Sequence, residues 1–165
     1  MSEHKTVTIP DVKAISVIGL PVAVTTYQKA IDWIKVAARS GDRAYAVEAA
    51  NTHVAALARH EKSFGEAMAK FDLITPDGMP LVWSVNRQLE EKEKLTDRVY
   101  GPTLMLKTIE STQGETALKH FLFGGKQSTL DKLQERFAKD HPDSVIAGAY
   151  SPPFGDWPED EFDRI

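Results

Sequence analysis

The residues with chemistry to offer sit where apolar runs give way to turns. Phe71-Asp72-Leu73-Ile74 rises into Thr75-Pro76-Asp77-Gly78, and a helix-compatible segment, Met79 to Val85, follows at once. The pattern reads as a strand end, a corner carrying a carboxylate, and a helix start. Open α/β sheets bind ligands outside the carboxyl ends of their strands, so Asp77 is a candidate general base, although Pro-Asp-Gly is also among the commonest turn sequences. Asn51-Thr52 closes another apolar run and reads as the cap of the helix that follows. Arg98, in Asp97-Arg98-Val99-Tyr100-Gly101, can pair with a surface carboxylate or neutralise a diphosphate. Gly124-Gly125 ends a third run; its backbone N–H groups could meet a pyrophosphate, or it could be a plain strand-to-helix turn. A carboxylate, an arginine and glycine-lined backbone suit the deprotonation of a hydroxyl beside a diphosphate. The residues alone point to a transferase or a binding domain for a phosphorylated ligand.

Positioning such groups takes alternating strands and helices. Ala14 to Gly19 and Leu20 to Val24 read as short strands, and Thr25 or Thr26 caps a helix that buries Tyr27, Ala30, Ile31, Ile34 and Ala37 and ends at Gly41. Arg43 to Ala50 reads as a strand, Val54, Leu57 and Ala58 as the inner face of the next helix, and Glu61 to Lys70 as a short amphipathic segment. The charged run Arg87 to Asp97 reads as a solvated helix end or mobile loop. Gly101-Pro102-Thr103 opens another helix, Ala117 to Phe123 is a strand, a helix starts near Gln127, and Ser144 to Tyr150 is a further strand. Residues 1–13 read as a polar, loosely held tail. The alternation calls for an α/β domain over 14–165, Rossmann-like, with a mostly parallel sheet and helices on both faces. Asp156-Trp157-Pro158-Glu159-Asp160-Glu161 announces one more helix, so the sequence reads as a domain incomplete at its C-terminus.

Composition narrows the function classes. The 165 residues suit one domain with a core. A net charge of -4 argues against a broad nucleic-acid surface, and the absence of cysteine excludes thiol catalysis and cysteine zinc sites. No apolar run is long enough to span a bilayer and no signal peptide opens the chain, so a cytoplasmic location is expected, with peripheral membrane attachment left open. The five histidines show no metal-ligand spacing. Neither a P-loop, a Gly-x-Ser-x-Gly elbow nor a Gly-x-Gly-x-x-Gly after the first strand is present, which disfavours P-loop, serine-hydrolase and nicotinamide chemistry.

In order and spacing, several stretches together resemble the WecG/TagA/CpsF glycosyltransferases: Val17-Ile18-Gly19-Leu20-Pro21-Val22, Asn51, Thr75-Pro76-Asp77-Gly78, Asp97-Arg98-Val99-Tyr100-Gly101-Pro102, Phe121-Leu122-Phe123-Gly124-Gly125, and Gly148-Ala149-Tyr150-Ser151-Pro152-Pro153-Phe154. They span roughly residues 14–157. The resemblance implies an inverting transfer of a sugar from a UDP-sugar to an undecaprenyl-diphosphate-linked saccharide, feeding bacterial surface polysaccharide or teichoic acid, with no metal or other cofactor. It puts the general base on Asp77, the family's asparagine on Asn51 and its motif arginine, a candidate for a diphosphate, on Arg98; Thr52, Gly78, Gly101, Gly124 and Gly125 complete the candidate substrate contacts. The chain departs from the pattern at Ala49, where many relatives carry Thr. It also stops short of the family's Pro-Lys-Gln-Glu motif and basic amphipathic segment. A catalytically silent nucleotide-binding or interaction domain is the alternative, and exposed apolar surface at a truncated face would favour a homo-oligomer.

Overall fold

The computed structural model describes residues 8–155 together with Trp157 and Glu161. The remainder of the expected final helix, Asp156 to Glu161, lies outside the described residues. The chain divides into two compact units after Lys107, and helix α5 (Gly101–Ser111) carries the backbone from one to the other. The class is α/β and Rossmann-like, and the described residues form three two-stranded ladders and six α-helices.

The first ladder differs from the parallel expectation. β1 (Ala14–Val17) and β2 (Leu20–Ala23) pair antiparallel, with Val17 opposite Leu20. The break is thus the two residues Ile18-Gly19, with φ of 47° and 96°, and Leu20-Pro21 already belongs to the second strand. A two-residue hairpin turn of type I′ takes φ > 0 at both central residues, which is why Gly19 fits and why a β-branched Ile18 is strained there.

β3 (Val47–Ala50) and β4 (Leu73–Pro76) pair parallel, Val47 opposite Leu73 and Ala50 opposite Pro76. β3 is shorter than the sequence pattern from Arg43. Before it, Asp72 takes both guanidinium nitrogens of Arg43, at 2.5 and 3.2 Å, and the Ala46 amide at 2.9 Å, which pins the start of both strands. The ladder is covered on both faces. Leu73 and Val47 meet Ala30, Ile31, Trp33 and Ala37 of α1 (Tyr27–Ser40). Ala50 and Ile74 meet Ala55 of α2 (Thr52–His60) and Val82 and Val85 of α4 (Met79–Asn86). Met68 of α3 (Lys62–Met68) joins the same core. α1 has the expected ends: Thr26 Oγ1 accepts from the Lys29 amide, and Gly41 adopts φ 66°.

Two segments expected to be loose are tied down. In the N-terminal tail, Ile9 and Val12 pack on the α1 core and Trp33 Nε1 donates to Pro10 O at 3.0 Å. In the charged run, Lys92 and Lys94 pair with Glu90 and Glu91 at the surface, yet Leu89 and Leu95 are buried. The Asn86 side chain bonds Leu95 N and O, both at 2.8 Å, closing the loop.

In the second unit, β5 (Lys119–Phe123) and β6 (Val145–Tyr150) pair parallel with a bulge at His120/Phe121. Leu122, Ile146 and Ala149 pack on Leu130, Leu133 and Phe137 of α6 (Gln127–Asp140) and on Ile109. Gly148 leaves room for the Phe121 ring: a Cβ there would come within 2.9 Å of it.

The hairpin yields a test. Ile18 is half exposed, so Ile18→Asn gives up little burial and relieves the positive φ; unfolding by urea is expected to show a gain of about 0.5–1 kcal/mol.

Candidate active site

The corner after β4 is held from both edges. The Asp77 amide donates to Ala50 O at 2.8 Å, continuing the β3–β4 ladder by one bond, while Pro76 O accepts from the Val99 amide at 2.8 Å. Thr75 beneath is fully buried, and its hydroxyl is within reach of Glu48 O (3.4 Å) and Val99 O (3.5 Å). Segment 97–100 therefore runs beside β4, with Val99 buried inward and Arg98 and Tyr100 exposed. Gly101 follows as the first residue of α5. A Cβ on Gly101 would sit 3.1 Å from Ala49 Cβ, so glycine lets the start of α5 approach the end of β3.

Asp77, Arg98 and Gly101 are brought together here. Asp77 is half-buried, and its Oδ1 is cut off from solvent with no hydrogen-bond partner. Burial pushes its carboxyl above the ordinary aspartate range, and the Arg98 guanidinium and the Gly101 N–H only partly offset that. An orphaned buried oxygen is costly, and it is an unused acceptor at a strand end.

Asn51 ends β3 on the same ladder. Its Oδ1 accepts from His53 N (2.9 Å) and Val54 N (3.1 Å) as the cap of α2. That leaves its Nδ2 without a hydrogen bond among the described residues. Thr52 is exposed as the first residue of α2. Gly78 caps α4 in extended conformation, φ −131°, so the corner needs no left-handed residue. A Cβ at Gly78 would meet nothing closer than Pro80 Cδ at 3.6 Å; neither conformation nor packing demands a glycine there.

Gly124 and Gly125 belong to the second unit. Both adopt positive φ, 99° and 77°, in the turn from β5 to α6. Gly124 N donates to Tyr150 O at 2.9 Å and Gly125 O accepts from Ser151 Oγ at 2.6 Å. Their glycines are required by the turn itself.

One residue was missed in the sequence. Glu48, inside β3, has its carboxyl raised first by burial and then by the charge of Asp77. The signal was a lone acid in the apolar run Val47 to Ala50. A cavity of about 680 Å³ lies elsewhere on this unit, between residues 10–13, the start of α1 and residues 92–96, and none of these candidates lines it. Its Lys13 is already paired with Glu93 at 2.7 Å. No group of three or more potential metal-ligating side chains occurs among the described residues.

The fold is that of Rossmann-like α/β proteins, with Asp77 and Asn51 directly after the parallel strands β4 and β3. Residues 15–165 match the model of the Glycosyl transferase WecG/TagA/CpsF family, and the chain belongs to that family. Comparison with curated proteins gives no match.

The raised carboxyls carry a stability signature. A carboxyl whose folded pKa lies above its unfolded value stabilises the fold in acid and loses that contribution as pH rises through the folded pKa. Asp77→Asn and Glu48→Gln are therefore expected to melt about 2 °C above the parent at pH 7. The gap should close when the melts are repeated near pH 4.

Proposed function

We propose that this chain transfers a hexose, N-acetylhexosamine or uronic acid from a UDP-sugar to an undecaprenyl-diphosphate-linked saccharide, with inversion, in the assembly of bacterial surface polysaccharide or teichoic acid. The observation that carries the reading is the orphaned, water-excluded Oδ1 of Asp77 beside a guanidinium and a helix N-terminal N–H. In this reading Asp77 accepts the proton of the acceptor hydroxyl as its oxygen attacks the anomeric carbon. The bond from that carbon to the diphosphate breaks, its electron pair leaving on UDP. Arg98 and the Gly101 N–H lie where charge develops, and the site works without a resident cofactor. Gly78 admits ligand close to the backbone, and Asn51 Nδ2 and Thr52 supply donors at the end of β3. The Gly124-Gly125 turn is a separate candidate for backbone contact with a phosphate.

A lipid-linked acceptor sets the place of work at the inner face of the cytoplasmic membrane, by peripheral attachment. No helix among the described residues is long and apolar enough to cross a membrane. A second reading, a catalytically silent nucleotide-binding domain, is favoured by Ala49, which puts a methyl against Gly101 where the family pattern has a hydroxyl. Turnover of UDP-sugar by the full-length protein decides between them.

Asp77→Asn should lower kcat for UDP release by about 10²–10⁴-fold while UDP binding stays within about threefold; turnover like the parent's rules out the base. In the parent, kcat/KM should fall on the acid side at a higher pH than an ordinary aspartate would give, because burial raises this carboxyl.

Asn51→Asp separates two roles. It keeps the acceptor oxygen that caps α2, so stability should hold within about 0.5 kcal/mol. It loses the Nδ2 donor and adds a negative charge, so calorimetry should show UDP binding weakened by about tenfold. Unchanged affinity would reduce Asn51 to a helix cap.

A further inference from the structure

Arg98 has no carboxylate salt-bridge partner among the described residues, yet its side chain is not loose. Its Cζ lies 4.9 Å from the centre of the Tyr100 ring, within the range at which a guanidinium is held by an aromatic face. The two residues flank buried Val99 on a segment bonded to β4, so they project to the same side. Tyr100 is fixed in turn: its backbone N–H donates to the Tyr27 hydroxyl at 2.9 Å, across 73 residues of sequence. Tyr27 opens α1 behind the Thr26 cap, and Lys107 Nζ lies 5.8 Å over its ring. The site segment is thereby tied to the first turn of the helix that packs across β3 and β4.

We propose that Tyr27 and Tyr100 are positioning residues: the Tyr27 hydroxyl sets the backbone of Tyr100, and the Tyr100 ring holds the Arg98 guanidinium toward Asp77 for the diphosphate of the donor. Without the ring, a long and exposed arginine samples many rotamers, and the ligand must order it on binding. With it, that ordering is done in the free protein. The assignment rests on the reading of Arg98 as the diphosphate's partner, and its test has one arm that needs no ligand.

The experiment uses the full-length protein with UDP as probe, in calorimetry, and follows the Asp77 carboxyl by NMR titration. Arg98 and Glu48 are the charged groups whose interactions bear on that titration. Tyr100→Leu should raise the UDP Kd by about two- to fivefold, the worth of an exposed cation–π contact, and Tyr100→Phe should restore it. Tyr27→Phe, which removes the acceptor but keeps the ring under Lys107, should resemble Tyr100→Leu. In an Arg98→Ala background, Tyr100→Leu should cost nothing further. The Asp77 titration should move to higher pH in Tyr100→Leu, as in Arg98→Ala, because the cation is no longer held near it. An equal loss of UDP affinity with and without Arg98 would mean that the ring touches the ligand itself, and would overturn the positioning role. So would an Asp77 titration that Arg98→Ala moves and Tyr100→Leu does not. Absent UDP binding with the titration still moved in both variants would sink the donor reading and leave the positioning role standing.

Discussion

One backbone hydrogen bond organises the first unit, from the Asp77 amide to Ala50 O. It extends the β3–β4 ladder past Pro76, a residue that has no N–H of its own to give, and so holds the chain in sheet register up to the residue that carries the carboxylate. Because the ladder is sandwiched between α1 on one face and α2 and α4 on the other, the register cannot slip without turning Val47, Ala50, Leu73 and Ile74 out of their cores. Burying each of the larger side chains is worth about 1.5–3 kcal/mol. The carboxylate is thus placed by the hydrophobic core, and its own interactions contribute little to placing it.

That division explains why Asp77 can be poorly satisfied. A group that held the fold together would need its hydrogen bonds made; one that is carried by the fold can keep an acceptor empty. Glu48, two residues before the end of β3, is carried in the same way. Asp72 is the opposite case. It takes Arg43 and the Ala46 amide, its carboxyl is held below the usual range, and it does structural service at the other end of the strand.

The strand-end placement of Asp77 and the caps at Thr26, Gly41 and Asn51 were legible in the sequence because each depends on neighbours within a few residues. The unreadable parts depend on partners far along the chain. Ile9 and Val12 look like an isolated pair in a polar tail until Trp33 and its helix are in place. Leu89 and Leu95 look diluted by charge until Val17, Leu20 and Val22 assemble the core they join. The Tyr27–Tyr100 bond has no local signature at all. The antiparallel hairpin was hidden for another reason: Gly19 and Pro21 both suggested a break, and only the positive φ at Ile18 shows which residues make it. Gly78 ends the corner in extended backbone as the cap of α4, so its conformation follows from the helix after it.

The two carboxyls that burial holds above their ordinary range also bear on one another. Glu48 and Asp77 lie close enough for the charge on one to deter ionisation of the other, so together they are softer than a pair of ordinary carboxylates. A change of charge at one of them is therefore felt by the other, a link between the two strands that the backbone ladder alone does not make.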